Sequence, residues 1–456
     1  YVCRKGLNVA FHQHHADRVT HPLKRVDGGF QVISWEQAIG EIAVKLREIS
    51  DAHGPRSLAY MGGGGQGCHF EAAFGVRLLR ALGSRWHYSA AAQEFGGIQW
   101  VAGRSFGRQY MFTGSDHHES DVLLAIGWNG WMSHQIPQAR RVLSQFSRDP
   151  DKLLVVIDPR KSETAERADI HLAIRPGTDA LLTRAMIAII LQEGWQNNDY
   201  INKHVKDFEV CDLDYEQVRH VCHLIATRKT SMHPDLGIFM NRHSTLTSYL
   251  HMILLAICGR WFIPGGNILP GWLMPMGSHS DERDPKAWGT LATNFPAIMG
   301  TYPPNVMPEE IMSDHPEHLR AVLIAGSNPL RSYADTTAYE QAFGQLDLLV
   351  TVELAMTETA VLSHYVLPAR SAYESWDGTF FPHTFPEVFF QMRRPIINPQ
   401  GEPVEAGEVW VRLADRMGLI PPIPDELHEA ASQGRLEFSQ ALMKYLQANP
   451  KAAGMM

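Results

Sequence analysis

The chain has 456 residues, 45% of them hydrophobic and 20% charged; this is ordinary globular composition, and the length predicts two or three lobes rather than one core. A net charge of −8 without a basic block excludes a nucleic-acid partner held through its phosphates. The longest apolar runs, such as 185–191 and 252–258, fall short of the ~20 residues a membrane span needs, so they are expected as buried helices and no direct membrane span is expected. Cys3, Cys68, Cys211, Cys222 and Cys258 form no C-x-x-C pair, and their odd number argues against a disulfide scaffold. The chain opens at Tyr1 without a signal-peptide pattern, so a cytoplasmic location is expected, or a periplasmic one if a leader has been removed.

Along the chain, apolar strands, Gly- or Asn-bearing turns and amphipathic helices alternate, which indicates parallel βαβ units and an α/β fold. The run at 58–61 stops at Gly62-Gly63-Gly64-Gly65, and a helix is expected over about 69–82. A strand at 121–126 ends at Gly127-Trp128-Asn129, a helix follows near 135–145, and a strand at 153–157 ends at Asp158-Pro159-Arg160. The next strand, 170–174, ends at Arg175-Pro176-Gly177-Thr178-Asp179, with Thr178 placed to cap a helix reaching about Gln192. From Trp261 to Pro304 the chain is rich in Gly, Pro, Met and Trp with weak periodicity, which predicts long functional loops. The earlier unit then returns: 320–325 ends at Gly326-Ser327-Asn328-Pro329, a helix covers about 335–343, and 348–352 ends at Glu353. After Pro421 the composition turns helical and polar.

The two units share one pattern: strand, Gly-x-Asn, helix, strand, carboxylate. We read it as an internal pseudo-repeat. Glycine lets a backbone approach a phosphate, helix N-termini offer unpaired N–H groups, and a carboxylate one strand later can accept from a ribose or a guanine edge. One such turn is ordinary turn chemistry, but two with matched acids, Asp158 and Glu353, point to two nucleotide-like ligands or one spanning the pair. Neither turn is a G-x-G-x-x-G fingerprint or a P-loop, so a nicotinamide dehydrogenase or an ATPase gains no support.

Several short motifs occur in a fixed order. Cys3-Arg4-Lys5-Gly6, Asp17-Arg18, His21-Pro22-Leu23-Lys24-Arg25 and Ile33-Ser34-Trp35-Glu36-Gln37-Ala38 come first. VIDPR at 156–160, Glu163-Thr164-Ala165, Ala168-Asp169-Ile170-His171-Leu172 and RPGTD at 175–179 follow. Gly326-Ser327-Asn328-Pro329, Thr357-Glu358-Thr359, Val366-Leu367-Pro368-Ala369 and Glu374 with Asp377-Gly378-Thr379 complete the series. From Tyr1 to about Leu419 this order resembles the large subunits of the dimethyl sulfoxide reductase and formate dehydrogenase superfamily, which carry a bis(molybdopterin guanine dinucleotide) centre with Mo or W.

The resemblance implies two Rossmann-like lobes with parallel sheets related by the pseudo-repeat, plus a small remnant of an N-terminal iron–sulfur domain. The expected division is 1–50 for that remnant and its lead-in, 51–95 with 276–456 for one lobe, and 96–275 for the other. Cys3 would be the last of four thiolates on a [4Fe–4S] cluster, its three companions preceding residue 1, with Lys5 on the electron path to the pterin. One dinucleotide would be gripped by Gly127, Asn129, Asp158, Arg160, Gly177 and Asp179, with Trp128 in the same turn. The other would lie at Gly326, Asn328 and Glu353. Either Asp158 or Asp179 would accept the guanine N–H donors. A barrel closing over both cofactors is expected beyond Leu419, where too few residues remain to form it, so the chain is read as truncated at both ends.

The protein ligand to the metal departs from the pattern, since family members use Cys, selenocysteine, Ser or Asp. Counting from Leu82-Gly83-Ser84 and back from Ser105-Phe106-Gly107 puts the position on Glu94, a carboxylate suited to a hard, oxidised metal. Glu94 is equally open to reading as an outer or surface carboxylate, with Ser89 as the rival ligand and Cys68 a third candidate at a helix N-terminus. Phe95 follows Glu94, and the loop after Pro264-Gly265-Gly266-Asn267 carries no Arg through Met276, so formate is not favoured as substrate. His12, His14 and His15 are expected on the surface, with His117 and His118 read alike, whereas His134 could touch the pterin.

The function expected is therefore a Mo- or W-dependent two-electron redox or oxygen-atom transfer on a small molecule, with an electron-transfer subunit as partner. The competing expectation is a non-catalytic relative, structural or electron-relaying, that has lost its metal ligand.

Overall fold

The computed structural model describes residues 4–62, 69–109, 113–197, 215–269, 287–379, 390–405, 407–420 and 422–449. Its strands run, in chain order, through Leu23–Val26 (β1), Gly29–Val32 (β2), Leu58–Met61 (β3), Trp86–Tyr88 (β4) and Gly114–Ser115 (β5). Val122–Ile126 (β6), Leu153–Ile157 (β7), Ile170–Leu172 (β8), Thr230–Pro234 (β9) and Asn267–Ile268 (β10) follow. Ala321–Ala325 (β11), Leu348–Glu353 (β12), Tyr365–Pro368 (β13), Asp377–Thr379 (β14) and Gln391–Arg393 (β15) come last.

Two sheets organise the molecule. One is four-stranded, β8-β7-β6-β9, and wholly parallel; the other is seven-stranded, β2-β1-β13-β12-β11-β3-β4. The pseudo-repeat lies in them: the order β8-β7-β6-β9 matches β13-β12-β11-β3, all parallel. Register matches too, Ile126 facing Ile157 in one sheet and Ala325 facing Val352 in the other, so Asp158 and Glu353 occupy equivalent positions.

The central parallel strands β6, β7, β11 and β12 read as nearly continuous apolar runs because both faces of each sheet are covered there. Val122, Leu124, Ile126, Val155 and Ile157 point into one core with the helices Gly96–Phe106, Asp179–Gln192, Tyr215–Thr227 and Ser244–Ile257. Their alternates Leu123, Ala125, Leu154 and Val156 pack on the helix Ala139–Phe146. In the larger sheet, Leu323 and Val350 face the helices Trp35–His53 and Glu408–Arg416, whereas Val322, Ile324 and Leu349 face Met307, Tyr339 and Phe343. Each lobe is thus a three-layer sandwich.

Residues expected as a lead-in are built into this frame. Hairpin β1–β2 extends the larger sheet antiparallel to β13, and the helix Trp35–His53 starts where the Ser34 hydroxyl accepts from Gln37 N (3.1 Å). Further forward, Arg18 pairs with Glu374 in the interior, Gln13 Nε2 donates to Glu374 (2.6 Å), and Ser371 N and Gln400 N donate to the same carboxylate (2.9 Å each). Two motif residues far apart in sequence therefore form one buried staple in which both oxygens of the Glu374 carboxylate are hydrogen-bonded.

The expected helices at 69–82, 135–145 and 335–343 are found at His69–Ala81, Ala139–Phe146 and Thr336–Phe343. Thr178 precedes Asp179–Gln192 as expected, but it does not cap that helix: its hydroxyl donates back to Arg175 O (2.7 Å) and so fixes the preceding turn. The runs at 185–191 and 252–258 are buried, Cys222 and Cys258 are free thiols, and no helix among the described residues is long and apolar enough to cross a membrane. Past Pro421, Asp425–Gln433 and Arg435–Ala448 are helical.

Candidate cofactor and metal site

At the carboxyl end of β6 the chain turns at Gly127, whose φ of +58° lies in the left-handed region. A Cβ there would lie 3.0 Å from the backbone of Gly237, the turn after β9, so glycine is required on two counts. Asn129 then ends the turn with its side chain committed inward. Its Nδ2 donates to Glu163 (2.7 Å), its Oδ1 accepts from the Thr164 hydroxyl (2.9 Å), and Trp131 N donates to that same hydroxyl (3.0 Å).

The second unit repeats this clasp. Gly326 has φ +59°, Asn328 Nδ2 donates to Glu358 (2.8 Å), Oδ1 accepts from the Thr359 hydroxyl (2.7 Å), and Leu330 N donates to Thr359 (3.3 Å). Sequence reasoning singled out both asparagines but missed their partners. The signal was present in Glu163-Thr164 and Glu358-Thr359, each following the strand after its turn.

The other expected contacts gather at the same strand ends. Asp158 accepts from Arg160 N (2.8 Å) and Arg160 projects into solvent. Gly177 has φ +83° with open space where a Cβ would point, and Asp179 begins its helix, accepting from Asn241 (2.8 Å). Burial raises the Asp179 carboxyl above its usual range and pushes that of Glu353 up to about 7. Behind Glu353 lies the buried Glu71, pushed up to about 8 by burial and by the charges of Glu353 and Asp377. Trp128 is the exception among the expected ligand contacts. Its ring is fully buried, donates to His134 O (3.2 Å) and lies 4.2 Å from the His233 ring, so it shapes the turn from below.

Glu94 ends the short helix Ala91–Glu94 between the two units. Phe95 packs on Phe239 (5.4 Å), in the segment that Asp235 N and Gly237 N tie to Ile126 O and Gly127 O. The Glu94 charge acts on Asp235, which burial pushes up to about 6, and on Tyr333, just past the Asn328 turn. The carboxylate is half-buried and raised by burial, and no described group hydrogen-bonds it. Ser89 is buried and already engaged, its hydroxyl accepting from Ala91 N (3.4 Å).

Cys3, Cys68 and most of the 269–276 loop lie outside the described residues, as does the side chain of Lys5. His12, His14 and His15 are exposed, as expected. His117 is buried and His118 exposed, so the pair does not share one surface position. Among the described residues no group of three His, Cys, Asp or Glu could hold a metal by itself. His134 is half-buried with φ +66° at the end of the first turn.

These features suit two phosphate-linked purine ligands: paired glycine turns, acceptors one strand on, exposed arginines beside each clasp, and between the units a carboxylate with no hydrogen bond among the described residues. They define an α/β protein with a twinned core of parallel sheets. The family model for molybdopterin oxidoreductase matches residues 18–416, and the chain belongs to that family. A probable oxidoreductase of Bacillus subtilis is 25% identical over 96% of this chain and 65% of its own length. The F420-dependent formate dehydrogenase subunit alpha of Methanocaldococcus jannaschii is 26% identical over 91% of the chain and 64% of its own. Acetylene hydratase of Syntrophotalea acetylenica is 27% identical (93% and 64%), and the solved acetylene hydratase from Pelobacter acetylenicus superposes with TM-score 0.75 at 25% identity, covering 92% and 64%. The chain spans just under two thirds of the length of these relatives.

Proposed function

We propose that this chain forms the cofactor-binding and catalytic core of a molybdenum- or tungsten-dependent oxidoreductase that carries out two-electron redox or oxygen-atom transfer on a small molecule. The observation that carries this reading is the pair of clasped glycine turns flanking Glu94. Gly127, Asp158, Arg160, Gly177 and Asp179 would hold one pterin guanine dinucleotide, and Gly326 and Glu353 the other. Glu94 would hold the metal. When bound, that group supplies the two-electron chemistry, and the protein supplies position and electrostatics. Electrons would pass by a [4Fe–4S] cluster at Cys3, with Lys5 between, to a separate electron-transfer subunit.

The relatives' names span formate dehydrogenase, acetylene hydratase, nitrate reductase and thiosulfate reductase, so likeness alone selects no substrate. Formate is disfavoured by Phe95 after Glu94 and by the lack of Arg in the 269–276 loop, which leaves a small anion without a guanidinium clamp. The non-catalytic reading rests on the unusual Glu94. Metal and nucleotide analysis of the purified protein separates the two: about one Mo or W with two guanine nucleotides per chain supports the enzyme, and protein free of both refutes it.

A further inference from the structure

The two clasps hold more than the asparagines. Glu163 also faces Arg160, Nη2 to Oε2 at 3.5 Å, and Glu358 faces Arg331, Nη1 to Oε1 at 3.5 Å. Both guanidinium groups are open to solvent, with side chains 67% and 78% exposed. The two arginines are not repeat equivalents. In the matched register the counterpart of Arg160 is Ala355, beyond β12, and that of Arg331 is Met132, in the helix after the first turn. One arginine comes from the loop after the second strand and the other from the helix after the first. Both nevertheless reach the same glutamate of the same Asn–Glu–Thr clasp at the same distance.

Stability does not account for this coincidence, since an exposed ion pair contributes only about 0–1 kcal/mol. A shared ligand chemistry does account for it. A guanidinium held by one edge keeps most of its five donors free, and it stands beside a glycine turn at a strand's carboxyl end, where a phosphate would sit. The glutamate also restrains the arginine before the ligand arrives, which lowers the ordering cost of binding.

We propose that Arg331, positioned by Glu358, binds the phosphates of the second pterin nucleotide, as the spatial counterpart of Arg160 on Glu163. Asn129 and Asn328 then act as positioning residues, their side chains spent on the clasps, and the cations make the ligand contacts. The assignment rests on the function proposed above. It also explains why Arg160 has no homologous partner in the second unit: the charge enters there from another element.

The test compares the purified wild type with Arg331→Gln, Arg331→Lys and Arg160→Gln, reading guanine nucleotide released by acid, metal per chain and melting temperature. Arg331→Gln is expected to lose nucleotide at least fivefold, matching Arg160→Gln, while Arg331→Lys retains most of it and all variants melt within about 2 °C of the cofactor-free wild type. Wild-type nucleotide content in Arg331→Gln would overturn the assignment while leaving the function intact. A drop in melting temperature that tracks the loss, unrelieved by Arg331→Lys, would make Arg331 merely structural. A wild type without nucleotide would end both proposals.

Discussion

Glu94 is proposed as the metal's protein ligand because of what surrounds it. A half-buried carboxylate that no described residue hydrogen-bonds is costly, and here it lies within electrostatic reach of Asp235 and Tyr333, one from each unit. A metal would offset that cost, whereas Ser89 is already bonded and buried. Glu94→Ala is therefore expected to lower metal content or turnover about 100-fold or more, since even outer partners of metal ligands cost 10–100-fold, and Ser89→Ala to leave both near wild type. Equal losses in the two variants, measured by metal analysis and steady-state rates, would argue against Glu94.

Glu71 makes a second prediction at this scale. Its folded carboxyl, pushed from the usual 4.5 to about 8, keeps a proton that the unfolded chain has released, so stability should fall as pH rises across that interval. Relative to Glu71→Gln, the wild type should lose on the order of a few kcal/mol between pH 5 and 8 by urea denaturation. A difference between wild type and Glu71→Gln that stays constant across the interval would contradict the burial argument.

At the scale of elements, the turns after β6 and β11 owe their shape to partners from the segment after the next strand. The turns themselves were legible in the sequence, because continuous apolar runs ending at glycine mark strands that must stop and bend. Their clasps were not: Glu163 and Glu358 lie beyond an intervening helix and strand, and the Glu-Thr pair shared by the two units does not itself say that it turns back to an asparagine. Trp128 was misleading for a related reason, as its place in the turn sequence hides that its ring points into the core. Converting Asn129 to Asp sets a carboxylate against Glu163 and should lower cofactor content severalfold. Pairing Asn129→Asp with Glu163→Gln restores a donor and an acceptor, and it should recover most of the loss. Recovery absent from the double variant, with Glu163→Gln alone close to wild type, would mean that Asn129 acts on the ligand directly.

At the scale of the whole molecule, the pseudo-repeat is the organising fact, and one sequence held enough to find it. Matching strand order and register follow from matching apolar runs, each flanked by helices that cover both faces. What the repeat does not contain was less legible. Hairpin β1–β2 joins β13 antiparallel across more than half the chain, a long-range pairing with no local signal. The Arg18–Glu374 staple likewise links two motifs whose residues are informative only once they meet. Replacing Glu374 by Ala strands the Arg18 charge in the interior and should cost about 3–5 kcal/mol in chemical denaturation, far more than loss of any exposed pair.

The relation between the two turns and Glu94 can be tested by locating the metal in crystals of the loaded protein through anomalous scattering at the molybdenum or tungsten edge. One strong peak beside the Glu94 carboxylate, flanked by nucleotide density at the Gly127 and Gly326 turns, is the predicted result. A peak remote from Glu94, or turns filled by protein side chains with no room for a ligand, would contradict it.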